Sequence, residues 1–368
     1  MTVPVALIGA GGHGRWHRRR IAELAGTGRV RLAGLADPAP VEDAGEVPVF
    51  PDHRALLAAV RPKVVVICTP PHTHLPIAMD ALAAGCDVLL EKPPVTRLEE
   101  HDELLAAVRG SGRACQVGFQ ALGSAALTRL TGAIAAGDLG EVTAIATVAS
   151  WQRDDAYYRR SDWAGRRGVD GSLVNPLAHA VMQSLAVADA AGAGDPVRLT
   201  AERYRTRPIE TDDTAFARLE FAGRLRLLAA VTLAGEDFIA GEVIVTGTAG
   251  RAVLEYPTDR LALPGDPGQR EVPGRTDLLV NLLDHRRDPA GVPLLAPLER
   301  TAGFTAFGEA LTTADQPLPK LLTGTVTAGE PPVRIIPGIN AVLRRCADTG
   351  SLPSELGVAW AETTRNYK

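Results

Sequence analysis

The 368-residue chain carries 39 lysines and arginines against 43 aspartates and glutamates, a formal net charge of −4. So balanced a charge gives no general attraction to nucleic acid or to an anionic membrane, and small-molecule partners are expected instead. The length exceeds that at which single hydrophobic cores stop growing, which predicts two domains.

The chain opens on an apolar run, Val3 to Ile8, that passes directly into Gly9, Ala10, Gly11, Gly12, His13 and Gly14 and then into a helical pattern from Trp16 to Leu24. Strand, glycine turn and helix in that order spell a dinucleotide-binding unit. Gly9 serves the tight turn, Gly11 the approach of backbone to a pyrophosphate, and Gly14 the close packing of helix on strand, while amides at the helix start, Gly12 and His13 among them, meet the phosphates. The arginine-rich run Arg15 to Arg20 lies on that helix and reads as solvated charge. A second strand, Val30 to Ala36, ends in Asp37, about 23 residues past Gly14, close to the spacing at which a carboxylate takes the ribose hydroxyls of NAD. A carboxylate there repels the extra phosphate of NADP; the competing reading is that Asp37 and Pro38 merely start a turn.

The alternation continues with a helix near His53 to Val60 capped by Asp52, a strand from Lys63 to Thr69, a helix from Leu75 to Ala84 stopped by Gly85, and a strand from Cys86 to Leu90. A helix over Glu99 to Val108 and a strand from Arg113 to Gly118 complete it. The pattern predicts a parallel, doubly wound sheet over residues 1–120, whose ligands lie beyond the carboxyl ends of the strands. Two of those ends carry Thr69-Pro70-Pro71 and Glu91-Lys92-Pro93-Pro94. Beyond Phe119 come a helix over Ser124 to Ala136 and alternating runs at Glu141 to Trp151, Val197 to Thr206, Thr214 to Phe221, Leu225 to Leu233, Glu242 to Thr246 and Ala252 to Tyr256. These predict a mostly antiparallel sheet in a second domain, 121–368. A helix from about Leu177 to Val187, apolar on nearly every side, is expected between that sheet and the first domain. Residues 257–300 are rich in proline and glycine and read only coarsely, 316–368 form a C-terminal extension, and Ile339 to Ala347 within it is helix-like.

The four cysteines, Cys68, Cys86, Cys115 and Cys346, are widely spaced with no CxxC pair, as reduced thiols are. The N-terminus leaves no room for a signal-peptide core and no apolar segment reaches spanning length, so a soluble cytoplasmic protein is expected.

Lys92, in a stiff turn after a strand, suits hydrogen bonding to a substrate hydroxyl or proton transfer beside a nicotinamide ring, although a lysine after a strand is most often surface charge. Asn175 and His179, with Pro176, Leu177 and Ala178 between them, open the apolar helix, and a spacing of four sets both on one helical face. Histidine suits the base that takes a hydroxyl proton while a hydride leaves. The alternatives are a cap-and-proline pair for Asn175 and a hydrogen-bonded core position for His179. His72 with His74 and His13 with His17 tempt a metal reading, but no Cys, His, Asp or Glu cluster in the sequence supplies three convergent ligands, so no metal is expected.

These pieces together resemble the Gfo/Idh/MocA family of NAD(P)-dependent oxidoreductases, over most of the chain. Gly9 to Gly14 with His17 is similar to the family's first turn, Thr69-Pro70-Pro71-His72-Thr73-His74 to its T-P-x-x-x-H stretch, and Glu91-Lys92-Pro93 to its E-K-P motif. Gly137 to Val142 is similar to the link into the second domain, Asp212 to Ala215 to the opening of a sheet strand, and Gly247 to Gly250 to a family turn. The resemblance implies an α/β plus α+β chain: an N-terminal Rossmann domain, then an open, mostly antiparallel sheet whose face supports assembly into a homo-oligomer, a dimer or tetramer. It implies that Lys92, Asn175 and His179 are catalytic, with Asn standing where many members have Asp. It further implies that Thr69, Pro70, His74, Glu91, Lys92 and Gln120 join Gly9, Gly11, Gly12, His13, Gly14 and Asp37 around NAD. Arg153, Tyr158 and Trp163, in a stretch that also holds Asp154, Tyr157, Arg159 and Asp162, are similar to segments that line a sugar pocket. The expectation is an NAD-dependent oxidoreductase acting on a secondary alcohol of a cyclic polyol or sugar. A redox-neutral glycosidase or lyase with bound NAD, or a non-catalytic dinucleotide sensor, are the alternatives.

Overall fold

The computed structural model describes residues 2–313, 316–361 and 365–367. The chain forms two compact units, one of Met1–Phe119 with Asp277–Thr305, the other of Gln120–Thr276 with Ala306–Lys368. The return of Asp277–Thr305 to the first unit departs from a second domain running unbroken from residue 121.

The first unit is built on a six-stranded sheet of β1 (Val3–Ile8), β2 (Val30–Ala36), β3 (Val49–Phe50), β4 (Val64–Ile67), β5 (Asp87–Leu90) and β6 (Cys115–Val117). Its order is β3-β2-β1-β4-β5-β6 and every pairing is parallel. Val64–Ile67 and Asp87–Leu90 are buried throughout, as strands covered on both faces must be. The intervening helices are α1 (Gly14–Gly26), α2 (His53–Val60), α3 (His74–Ala83) and α4 (Leu98–Ser111). α1 buries Gly14, His17, Ile21 and Leu24, one stripe at helical spacing. Asp52 caps α2, its Oδ1 accepting from the Ala55 amide at 2.8 Å. The returning helix Leu278–Arg287 packs on β5 and is tied down by charge: Arg286 pairs with Asp87, and Asp284 with Arg29 at 2.6 Å. The order reverses between β1 and β4, so the ends of β2, β1, β4 and β5 are neighbours along one edge, where open α/β sheets bind ligands.

The second unit opens with α5 (Ala125–Ala135), whose N-cap Ser124 accepts from the Leu127 amide at 3.0 Å. Then follow β7 (Val142–Gln152), α6 (Asp155–Tyr158), α7 (Ala178–Ala190), β8 (Pro196–Arg205), β9 (Thr214–Phe221), β10 (Arg226–Thr232), β11 (Ala234–Gly247), β12 (Gly250–Glu255), β13 (Arg260–Ala262), β14 (Arg270–Glu271) and β15 (Lys320–Leu321). The strands pair in the order β14-β13-β12-β11-β7-β10-β9-β8-β15, antiparallel except at β7/β10 and β8/β15. Alternation divides the side chains of β7 between two packed faces. Thr147 meets Ser184 of α7, their hydroxyls 2.5 Å apart. Ala146 and Val148 point the other way, into a cluster with Phe216, Leu228, Ala230 and Ile244 that is closed by Ile339, Leu343, Cys346, Leu352 and Trp360.

The closing residues come from the helix Ile339–Thr349 and the segment after it. Arg344 pairs with Glu242 and Arg218 with Glu355, the latter at 2.7 Å, which fastens this segment to the sheet. This face of the sheet is therefore covered over its central strands by the chain's own C-terminal segment. All four cysteines are free, three of them buried. Among the described residues no helix is long and apolar enough to cross a membrane.

Candidate functional site

In the first unit the glycine turn follows β1 for steric reasons. Gly9 has φ of +86°, and a Cβ there would lie 2.4 Å from the Cys68 carbonyl oxygen; a Cβ on Gly14 would lie 2.0 Å from the Gly9 carbonyl oxygen. Only hydrogen at both positions lets α1 start tight against the strand end. No side chain caps α1; the Gly14, Arg15 and Trp16 amides turn back onto the Gly11, Gly12 and His13 carbonyls, and the Gly12 and His13 amides stand ahead of them at the helix start, the place where anions bind. Asp37, at the end of β2, reaches over the turn: its Oδ2 accepts from the Ala10 amide at 2.9 Å and the Gly11 amide at 3.1 Å, and its Oδ1 from Ala39 at 3.0 Å. The turn therefore has the close backbone, the helix start and the carboxylate that a dinucleotide requires, and the residues fit NAD.

The next two strand ends are locked together by His74. Buried at the start of α3, its Nε2 lies 2.8 Å from the Thr69 carbonyl and its Nδ1 2.9 Å from that of Pro93. Burial pushes this ring below the usual histidine range, against the pull of those carbonyls. His74 thus splints the Thr69-Pro70 turn to the Glu91-Lys92-Pro93 turn. Lys92 is half-buried, and the Lys92–Pro93 peptide is cis.

Glu91, beside Lys92, is buried under Gly118, where a Cβ would strike the carboxylate at 2.8 Å. Burial works against its charge, but the hydrogen bond from His17 and the positive groups around it prevail and hold it down to about 2. Glu91 Oε1 is 2.8 Å from His17 Nε2 and 3.7 Å from His13 Nε2. This overturns the expectation that no three metal-type ligands converge: His13, His17 and Glu91 offer atoms all within 4.8 Å of one another. The sequence hides the cluster because Glu91 stands 74 residues from His17 and joins it only through the sheet.

In the second unit the helix α7 starts at Ala178, with Leu177 as its N-cap, so Asn175 lies in the turn before the helix and not on a helical face. Two buried carboxylates hold this turn: Asp170, which motif reading passed over, and Asp212, which it quoted only as part of a strand opening. Asp170 accepts from Asn175 Nδ2 at 2.9 Å and from the amides of Gly165 at 2.7 Å and Gly171 at 3.0 Å. Asp212 accepts from the Ser172 amide at 2.9 Å and hydroxyl at 2.5 Å, and pairs with Arg203 at 2.9 Å. His179 is half-buried on the first turn of α7, its ring centroid 6.3 Å from that of Tyr256. Burial pushes the Tyr256 phenol up to about 12, so it stays a neutral donor.

The segment before this turn is layered by arginines on aromatic rings. Arg153 lies 4.9 Å from the Trp151 ring centroid and 5.2 Å from that of Tyr157; Arg160 lies 3.7 Å from Tyr157 and 4.9 Å from Trp163; Arg207 lies 4.6 Å from Tyr158. Among the described residues, the buried Tyr158 hydroxyl has no hydrogen-bond partner. Arg207, two residues past the end of β8, could not be picked out from sequence because nothing local marks it. Gln120 begins a short 3-10 turn of the second unit, with a half-buried side chain.

Comparison with known proteins agrees with this architecture. The family model described as "Oxidoreductase family, NAD-binding Rossmann fold" matches residues 3–119, and the one described as "GFO/IDH/MocA C-terminal domain" matches 127–253. The chain belongs to the Gfo/Idh/MocA oxidoreductase family, and its N-terminal domain is an NAD-binding Rossmann fold. D-glucoside 3-dehydrogenase of Escherichia coli is 33% identical over 38% of this chain and 40% of its own length. Inositol 2-dehydrogenase of Paracoccus denitrificans is 31% identical over 32% of this chain and 37% of its own. The chain therefore matches about two-fifths of the length of these relatives. Among solved structures, the WlbA dehydrogenase of Bordetella pertussis in complex with NADH and UDP-GlcNAcA superposes with a TM-score of 0.73 and 22% identity, over 88% of this chain and 100% of that one. At that identity the likeness is one of fold.

Proposed function

We propose that this protein is an NAD-dependent dehydrogenase that moves a hydride between a secondary alcohol of a cyclic polyol or sugar and nicotinamide. The observation that carries the reading is the sequence of strand ends along one edge of the first sheet: Asp37 after β2, the glycine turn after β1, Thr69-Pro70 after β4 and Glu91-Lys92 after β5. The relatives named as glucoside and inositol dehydrogenases support the substrate class. NAD, when bound, supplies the hydride acceptor. In the glycine turn Gly9 makes the tight bend and Gly14 lets the helix pack on its strand, Gly11, Gly12 and His13 bring backbone to its phosphates, Asp37 takes its ribose hydroxyls and selects against NADP, and Thr69, Pro70 and Gln120 complete the cofactor shell.

Oxidising an alcohol removes a hydride from carbon and a proton from oxygen, so the protein must supply a base. In this reading His179 takes that proton, and Lys92 donates a hydrogen bond to the same oxygen and stabilises its developing charge. Asn175 cannot share a proton; with its amide nitrogen fixed on Asp170, it orients a substrate hydroxyl through its amide oxygen. Arg153, Tyr158 and Trp163 provide the aromatic faces and forked donors that suit a sugar. Steady-state kinetics of Lys92→Ala and His179→Ala test the assignment: kcat falls at least 100-fold while NADH affinity, read by fluorescence, stays within about threefold. Equal loss of turnover and cofactor affinity would remove both residues from the chemistry.

A further inference from the structure

His13 and His17 stand at i and i+4 at the start of α1, the spacing that brings two ring nitrogens to one face of a helix. The end of β5 delivers a third donor, the Glu91 carboxylate, 2.8 Å from His17 Nε2 and 3.7 Å from His13 Nε2. Two of the three side chains are already fixed by the fold, since His17 is 3% exposed and Glu91 9% exposed. His13, 54% exposed, is the one that can still adjust, and its ring lies parallel to the Trp16 indole with centroids 5.6 Å apart.

Zinc bonds of about 2.0–2.2 Å to imidazole nitrogen and carboxylate oxygen, arranged tetrahedrally, set donor atoms roughly 3.3 Å apart. The donors here, all within 4.8 Å of one another, reach that spacing by a half-ångström opening of the His17 to Glu91 contact and a swing of the exposed His13 ring. Two imidazoles and one carboxylate are also the wrong set for magnesium or calcium, which want oxygen alone, and a suitable one for zinc, cobalt or nickel. Three protein donors leave a fourth position for water or another small ligand, as in zinc sites with an exchangeable ligand.

We propose that His13, His17 and Glu91 form a binding site for a transition-metal dication of the zinc type, built wholly within the first unit. The site shares His13 with the proposed cofactor shell, and a titration made without dinucleotide tests it apart from the dehydrogenase reading. The ion takes the place of the hydrogen bond between His17 and Glu91, beside the Lys92 turn.

Cobalt(II) and zinc titrations of the full chain without dinucleotide test this. The expected result is one equivalent of cobalt with the strong visible absorption of four- or five-coordinate geometry, displaced by zinc. His13→Ala changes an exposed side chain and leaves the buried pair intact, so it folds, and it weakens cobalt affinity at least tenfold. His53→Ala, which removes the separate pairing of His53 with Asp80, leaves the affinity within twofold. Failure of the wild type to give the visible band, or equal affinity in wild type and His13→Ala, would overturn the site.

Discussion

Removing either member of the Arg203–Asp212 pair is the most demanding test of how the second unit holds Asn175. Both side chains are 5% exposed and their contact is 2.9 Å. Asp212 also receives the Ser172 amide and hydroxyl, and Arg203 donates to the Leu311 carbonyl. Asp212→Asn keeps the shape but leaves a buried guanidinium facing an uncharged amide, and loss of one partner of a buried pair costs about 3–5 kcal/mol. Arg203→Met strands the carboxylate and costs a similar amount. The double variant buries no unpaired charge, so its loss of stability should fall short of the sum of the single losses by at least about 2 kcal/mol. Urea unfolding with slopes compared across the four proteins gives these values. The Ser172 turn carries Asn175, so each single variant should also lower kcat/KM at temperatures where it remains folded. Single losses below about 1 kcal/mol, or additivity within about 0.5 kcal/mol, would refute the claim that this pair anchors the turn.

Other perturbations probe separate parts of the account. Gly14→Val forces a Cβ to 2.0 Å from the Gly9 carbonyl oxygen, so NADH affinity measured by fluorescence titration should fall more than tenfold. Asp37→Ser removes the carboxylate over the glycine turn, and the ratio of NAD to NADP efficiency should drop at least tenfold; an unchanged ratio would return Asp37 to a mere turn residue. Leu343→Ala opens a cavity in the cluster under the C-terminal helix, where Leu343 is fully buried, and should cost about 2–5 kcal/mol by urea unfolding with no change in NADH affinity.

The first unit was legible from sequence because each of its signals is local. The glycine turn, the Asp52 cap and the fully apolar strands fix elements without help from distant residues, and the bounds of those elements shift from the expected ones only at their ends; the two-residue edge strand β3 was not expected, being too short to carry a pattern of its own. In the second unit the run Glu242 to Thr246 understated β11, which extends back to Ala234 because Gly235, Glu236, Asp237 and Gly241 interrupt the alternation while the pairing with β7 continues through register shifts. The return of Asp277–Thr305 to the first unit was not legible. It depends on tertiary partners such as Asp87 for Arg286 and Arg29 for Asp284, which no periodicity reports. The same holds for Asp170, Arg207, the pairing of Asp212 with Arg203 and Ser172, and the joining of Glu91 to His13 and His17. Each is an ordinary charged residue until the fold supplies its partner.

The proposed activity is oxidation of an alcohol by NAD. The most direct test is absorbance at the NADH band while purified protein meets NAD and a panel of inositols, free sugars, glycosides and sugar nucleotides, with hits repeated using NADP. NADH should form with at least one cyclic polyol or sugar, and more efficiently from NAD than NADPH from NADP. NADH binding without reduction of NAD by any member of the panel would contradict the proposed activity.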